Sequence, residues 1–352
     1  MHRPTARTPR RVKLGAVTAL VALLTACAGA SGPAADTATV TVTGSAATPD
    51  LTSVTLKVAY LVISSDTATR FRELSAAFDD TPYKLEWVAF DGSNGAVEAL
   101  NAGAVDIGLM LQSTVSVLAQ GNAKPEWTTE NRAFSVIAAA LPGPTSNQVL
   151  LVPTDSQVQT VADLKGKKVS YARGSLQHYF WNVAAREAGL QPGDVELVEL
   201  PSAEGKAAFQ SGALDAIVTG TGSARRFGGS GVARPIADSG DLPLYRVTLA
   251  RRGLFDNPLV EAAVADFLLR SSALEEWKSG HVAEMTKVYE EVSLLDPEEA
   301  AFSAQDAYLR AAPLDDILVE ALQDQSDIFF ADQVIANKSD AQVLIDNRFE
   351  GR

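Results

Sequence analysis

The chain has 352 residues, 43 of them acidic against 30 basic, for a formal charge of −13, and its single cysteine is Cys27. With no surplus of cations to displace counterions, a nucleic-acid partner is excluded, as is direct adhesion to an anionic bilayer. One cysteine also excludes a disulfide framework and a thiol site anywhere else in the chain.

In chain order, the amino terminus carries Arg3, Arg7, Arg10, Arg11 and Lys13 without an acid, and the apolar run Leu14 to Ala26 follows. Charge followed by an apolar run is the order of an export signal. The run is shorter than the roughly 20 residues that span a hydrocarbon core. It ends in Leu24-Thr25-Ala26-Cys27, the small-residue pattern that precedes a lipid-modified cysteine. Residues 1–26 are therefore expected to be a cleaved lipoprotein signal peptide, and Cys27 the lipidation site that anchors an extracytoplasmic protein to the cell membrane. The Arg10-Arg11 pair raises a twin-arginine export route, against which Lys13 speaks by standing where an apolar residue is usual. Loss of the leader's five cations takes the formal charge to −18. The rest of 27–53 is Ala, Thr, Ser, Gly and Pro with scattered valines, too little large apolar surface to offset the entropy of ordering, and reads as a flexible tether.

The roughly 290 residues beyond it suit two lobes better than one core. Short β-branched runs alternate with amphipathic stretches, which predicts an α/β fold of two lobes, each a mostly parallel sheet flanked by helices. Strands are expected at Leu56 to Val62, Lys84 to Val88, Ile107 to Leu111, Ser135 to Ala139, Gln148 to Val152, Lys168 to Tyr171, Val195 to Glu199, Ala216 to Thr219 and Leu244 to Ala250. Helices are expected at Thr67 to Ala77, Gly95 to Asn101, Leu176 to Ala188, Glu204 to Gln210 and Pro258 to Ser279. Beyond Glu298 the pattern reads as helix almost throughout, best over Asp315 to Phe330.

One internal echo organises this series. Glu98-Ala-Leu-Asn-Ala-Gly-Ala-Val-Asp-Ile-Gly and Ala207-Ala-Phe-Gln-Ser-Gly-Ala-Leu-Asp-Ala-Ile share a helix end, a glycine, a short link and a strand start. Gly103 and Gly212 are predicted to close helices in the left-handed conformation, and Asp106 and Asp215 to open strands. Ligands of open α/β sheets bind beyond the carboxyl ends of the strands, so Leu111 to Thr114 and Thr219 to Thr221 are expected to face each other across a cleft.

The run from Ser156 to Gly189, with Leu164-Lys-Gly-Lys-Lys-Val, Arg173-Gly-Ser-Leu-Gln-His and Ala184-Ala-Arg-Glu-Ala-Gly, resembles the second lobe of the nitrate, sulfonate and taurine group of ABC-transporter substrate-binding proteins. The aliphatic-sulfonate binders are the nearest likeness. It continues through Leu200-Pro201, the second echo, Glu86-Trp-Val-Ala-Phe and the first echo, from about Lys57 to about Arg252. The resemblance implies a type II periplasmic-binding fold in which 54–146 and 235–352 form lobe 1 and 147–234 lobe 2. The chain would cross near Gly143 to Val149 and Ala233 to Ser239. It also implies a monomer that closes on a small solute by hinge motion and delivers it to an ABC permease and its ATPase.

Several segments are candidates for the solute site. Gly174, Ser175 and Leu176 follow a strand and open a helix, where free N–H groups and the helix dipole suit an anion, and His178 matches the histidine of the family's Gly-Ser-x-x-His stretch. In the first lobe, Ser64, Ser65 and Asp66 follow the first strand, Gly92 sits in a loop where relatives present backbone to the solute, and Gln112, Ser113 and Thr114 replace their glycine-rich turn. Thr219, Gly220 and Thr221 stand where sulfonate binders commonly carry an aromatic-rich Trp-Asp-Pro-Tyr segment, so the pocket is altered here. An aliphatic sulfonate, taurine or a nitrate-like anion is the expected solute, with a pyrimidine or another nitrogen or sulfur compound as the alternative cargo and signalling through a membrane receptor as the alternative output.

Catalysis is not expected. The pyrimidine synthases that share the fold depend on a cysteine cluster, and there is no Gly-x-Ser-x-Gly elbow, no phosphate-cradling Gly-x-x-x-x-Gly-Lys loop and no His-Glu-x-x-His helix. Beyond the leader only His178 and His281 supply imidazoles, so neither a metal site nor a cofactor is predicted.

Overall fold

A computed structural model describes residues 49–61, 65–143 and 147–350, with Ser65 and Asp306 described by their backbone alone. The signal peptide, Cys27, most of the tether and Ser64 lie outside the described residues.

The first strand, β1 (Thr55–Leu61), is followed by α1 (Ser65–Ser75), β2 (Lys84–Phe90), α2 (Ser93–Asn101), β3 (Ile107–Gln112), α3 (Ser113–Gly121) and β4 (Phe134–Pro142). The chain then enters a second sheet through β5 (Gln148–Pro153), β6 (Lys168–Tyr171), α4 (Leu176–Glu187), β7 (Glu196–Glu199), α5 (Ser202–Gln210), β8 (Ala216–Gly220), α6 (Thr221–Gly229) and β9 (Ala233–Asp238). It returns to the first through β10 (Arg246–Arg251), α7 (Pro258–Gly280), α8 (Val282–Glu291), α9 (Pro297–Asp306), β11 (Leu309–Ala312) and α10 (Asp316–Ala331).

The first sheet has the order β11-β4-β10-β3-β1-β2 and the second β7-β6-β8-β5-β9. In each, the strand laid down just after the chain changes sheets, β5 or β10, runs antiparallel between two neighbours, while the β1–β2, β1–β3, β6–β7 and β6–β8 pairs are parallel. The two crossings therefore tie the lobes together. They also place the first residues of β5 and β10 at the carboxyl edges of the parallel strands, with Gln148 opposite Gly220 and Arg246 opposite Gln112.

The echo is structural as well as sequential. Gly103 and Gly212 have φ of 69° and 78°, and the next residues close both helices with Ala104 N–H to Ala99 O and Ala213 N–H to Ala208 O. Asp106 then clamps the neighbouring strand, its N–H donating to Lys57 O (2.8 Å) and its carboxylate accepting from Lys57 N–H (2.9 Å). Asp215 does the same to Lys168, at 2.9 and 2.8 Å.

Both faces of each sheet are covered. In β5, Leu150 and Val152 pack against α4 residues Phe180 and Trp181 on one face, while Val149 and Leu151 join Phe209 and Phe227 on the other. This is why the strand reads as an unbroken apolar run. The first lobe's main cluster takes in Val115 and Val117 of α3, Leu318, Leu322 and Phe329 of α10, and also Leu176 and Tyr179 of α4, so packing continues from one lobe to the other.

Two expectations fail. Thr114 does not sit in a turn, because α3 begins immediately after β3, as α6 does after β8; Ser, Thr and Gly starts mask helices whose Val115, Val117 and Phe227 are held by the core. The end of the chain is not helical almost throughout, since Leu309–Ala312, composed of good helix formers, pairs antiparallel with β4, a tertiary partner overriding local propensity. Besides the helices named from the sequence, α8 (Val282–Glu291) also forms.

Candidate functional site

The carboxyl ends of β3 and β8 bring Gln112 and Gly220 to the facing edges of the lobes. Gln112 is the N-cap of α3 but does not cap it with its side chain. Its N–H donates to Ser93 Oγ (3.1 Å), and its Oε1 reaches the other lobe to accept the Leu176 N–H at 3.0 Å. The first free amide of α4 is thus satisfied by a side chain from across the cleft. Beside this link, Asn94 Nδ2 donates to Arg173 O (3.4 Å), and Gly174 lies against Leu118 of α3 so closely that a Cβ there would stand 2.5 Å from Leu118 Cδ2. With φ of +70°, Gly174 also has a backbone conformation that side chains disfavour.

The loop that leads into α4 is also bonded within itself. Ser175 accepts from Gln177 N–H (3.1 Å) and donates to Ala172 O (2.6 Å), and the Gly174 N–H donates to His178 Nδ1 (3.1 Å). His178 is 2% exposed, stacked on Tyr171 at 4.4 Å and flanked by Phe329 at 5.1 Å. Burial, reinforced by the Arg173 charge, pushes its imidazole down to about 4, so it is a neutral packing residue that orders the loop before α4. A base whose folded pKa lies below its unfolded value destabilises the fold as pH falls, because the unfolded chain binds the proton first. Stability is expected to drop by about 3 kcal/mol between pH 6.5 and 4. Denaturant titrations should show that slope and show it reduced in His178→Asn, whose amide oxygen can still accept from Gly174.

The other candidates fall into distinct places. Ser113 and Thr114 are fully buried; the Ser113 hydroxyl is engaged with Gln325 of α10 (3.0–3.1 Å), and Thr114 Oγ1 has no hydrogen-bond partner among the described residues. Thr219 is buried within β8, and Thr221 closes a clasp with Asn147, its hydroxyl donating to Asn147 O (2.9 Å) and accepting from Asn147 N–H (2.8 Å). Gly220 and Gly92 are backbone N-caps without side-chain caps, each with nothing within 4 Å of where a Cβ would stand, so both present open backbone. Asp66 is exposed in the first turn of α1. Gln112, Gly174 and Leu176 therefore meet at the lobe junction, whereas Ser113, Thr114 and His178 are turned into the core.

Arg246 was not among the sequence candidates. It opens β10 directly opposite Gln112 on one side and Ala140 on the other. It is partly buried, burial pushes its guanidinium down to about 10, and its side chain has neither a hydrogen bond nor an ion pair among the described residues. Other arginines contrast with this: Arg225 and Arg226 of α6 pair with Glu298 (3.0 Å) and Glu299 of α9, Arg225 lies 4.2 Å over Phe302, and Arg186 pairs with Asp332 (2.8 Å). An arginine heading a strand whose next residues, Val247-Thr-Leu-Ala, are mainly apolar was the available signal; its place at the cleft edge depends on pairing between distant strands.

Two α/β lobes, joined by two crossings and meeting at the carboxyl edges of their sheets, make a fold shared with solved periplasmic binding proteins. The TM-score is 0.70 to the alkanesulfonate-binding protein SsuA from Xanthomonas axonopodis pv. citri bound to MOPS, at 22% identity, over 86% of this chain and 100% of that one. Residues 78–226 carry the pattern of the family described as NMT1/THI5 like. Two curated proteins named "Putative aliphatic sulfonates-binding protein" are related in sequence. That of Escherichia coli (strain K12) is 35% identical over 133 residues, 38% of this chain and 39% of that protein. That of Bacillus subtilis (strain 168) is 27% identical over 279 residues, 78% of this chain and 79% of that protein. The first match thus spans well under half of the Escherichia coli protein.

Proposed function

We propose that the chain is the extracytoplasmic solute-binding lipoprotein of an ABC importer, held to the cell membrane by lipid on Cys27. It binds a small organic anion such as an aliphatic sulfonate between its lobes, delivers it to the permease and its ATPase, and catalyses nothing. The observation that carries this reading is Arg246. A partly desolvated guanidinium without an acid partner among the described residues, at the edge where ligands of open α/β sheets bind, is a charge awaiting an anion. Arginine's planar fork suits the oxygens of a sulfonate better than it suits a neutral heterocycle. Gln112, Gly92 and Gly220 add polar side-chain and backbone groups along the same edges. The names of the two sequence relatives support the same solute class.

The test is calorimetric titration and thermal unfolding of the leaderless protein against alkanesulfonates, taurine, nitrate, amino acids and pyrimidines. A sulfonate at 100 times its dissociation constant is expected to add about 2.7 kcal/mol of stability. Stabilisation by a pyrimidine or a cation, with none by any anion, would overturn the assignment of the solute.

A further inference from the structure

We infer that α6 and α9 form an ionic clasp between the lobes, set on the side of the cleft toward which Arg246 points, and that its strength governs how long a solute is held. What the clasp encloses rests on the reading of Arg246 as the anchor of the anion; the contact itself does not.

The lobes meet on both faces of their sheets. On one face α4 packs against α3 and α10, with Leu176 and Tyr179 in the cluster of Leu318, Leu322 and Phe329. On the other face, α7 covers the first sheet with Ala263 and Phe267, and α9 packs beside it, its Ala300 and Ala304 clustered with Leu274 of α7 and Met285 of α8. There α9 meets α6 of the second lobe. Tyr245, Val247 and Leu249 point into the core shared with α3 and α10, so the alternation of a strand turns Arg246 toward the face of α7 and α9. The α6–α9 contact therefore closes the cleft on the side where the unpaired guanidinium lies.

Charge at this contact follows helix polarity. Glu298 and Glu299 stand in the first turn of α9, where their N–H groups are capped by Asp296, and Arg226 stands in the last turn of α6 with Arg225 before it. Each sign thus occupies the helix end whose dipole favours it. Two consecutive arginines meet two consecutive glutamates, Arg225 with Glu298 (3.0 Å) and Arg226 with Glu299. Arg225 also lies 4.2 Å over the ring of Phe302, one turn on from Glu298, and Arg226 donates to Ser223 Oγ (3.2 Å). Lys206 of α5 adds to the positive rim of the second lobe; burial and the Arg226 charge hold its ammonium below the usual lysine range.

Three of the four paired side chains are about half exposed or more, only Glu299 being largely covered. Each pair is therefore weak, worth a factor of about 1.5 to 5 in an equilibrium. Two such pairs and a cation–π contact together amount to a factor on the order of ten. That suits a closure that has to reopen, because the parted charges regain water. Exposed pairs are also screened by salt, far more than an anion buried on Arg246.

The test compares three leaderless proteins: wild type, Arg225→Glu/Arg226→Glu, and that reversal combined with Glu298→Arg/Glu299→Arg. In stopped-flow tryptophan fluorescence with ethanesulfonate, the reversal is expected to release solute about tenfold faster than wild type or more. The combined variant is expected to recover most of the difference, short of all because its charges oppose the helix dipoles. Added salt is expected to speed release from wild type and to slow it from the reversal, where it screens repulsion. Small-angle X-ray scattering without solute gives a readout independent of binding: a larger radius of gyration for the reversal, returning toward the wild-type value in the combined variant. Equal radii in all three, or ethanesulfonate released at the wild-type rate by the reversal, overturns the clasp and leaves the anion receptor standing. Failure of wild type to bind any sulfonate overturns the receptor reading, and the scattering alone then decides the clasp. Should the reversal fold poorly, Glu298→Gln/Glu299→Gln removes the attraction without adding repulsion, with release expected to be roughly threefold faster.

Discussion

Arg246→Gln is expected to reduce anion affinity by at least 100-fold while leaving the free protein as stable as wild type or more so. Breaking a desolvated charge pair costs about 2–5 kcal/mol of binding, because the anion is left in the cleft without its countercharge. The stability effect runs the other way. In the free protein the guanidinium sits at about 10 through burial and has no acid partner among the described residues, so its charge is a cost to the fold, on the order of 1–3 kcal/mol, which glutamine removes. Arg246→Lys keeps the charge but loses the fork, and is expected to bind roughly tenfold more weakly than wild type. A variant that loses binding and stability together would make Arg246 a structural residue.

Gly174→Ala is expected to lower stability by about 1–2 kcal/mol and solute affinity by at least tenfold. The stability term comes from placing a Cβ on a backbone at φ +70°. The affinity term comes from the lobe junction, where that Cβ would stand 2.5 Å from Leu118 Cδ2 and would oblige the Leu118 side chain, packed between the lobes, to turn aside. The double variant Gly174→Ala with Leu118→Ala separates the two: affinity is expected to recover because the obstruction is gone, while the backbone cost remains. Equal affinity in wild type and Gly174→Ala, measured by calorimetry, would mean that the lobes close without this contact.

Much of the lobe junction is legible in the sequence. The strand-to-helix passage at Gly174 to Leu176 and the strand end at Gln112 both follow from local pattern, and the fold brings them within one hydrogen bond of each other. Local pattern does not tell which groups remain free. The α4 amides offered to an anion are taken by Ser175, His178 and Gln112, and Ser113 is taken by Gln325, 212 residues further along the chain. Hydrogen-bond satisfaction is a property of who arrives nearby, and polar residues at a helix start look alike whether they face a ligand or the core.

By itself the sequence determined the alternation of strands and helices, the repeated unit closed by Gly103 and Gly212, and the strand starts at Asp106 and Asp215. Each follows from short-range periodicity or from backbone geometry that only certain residues adopt. Only the tertiary structure decided that Leu309–Ala312 becomes an edge strand, that α3 and α6 follow their strands without a turn, and that Arg246 stands beside Gln112 and Ala140 with no acid partner among the described residues. Those outcomes depend on pairing and packing between segments distant in the chain, where burial and register outweigh local propensity.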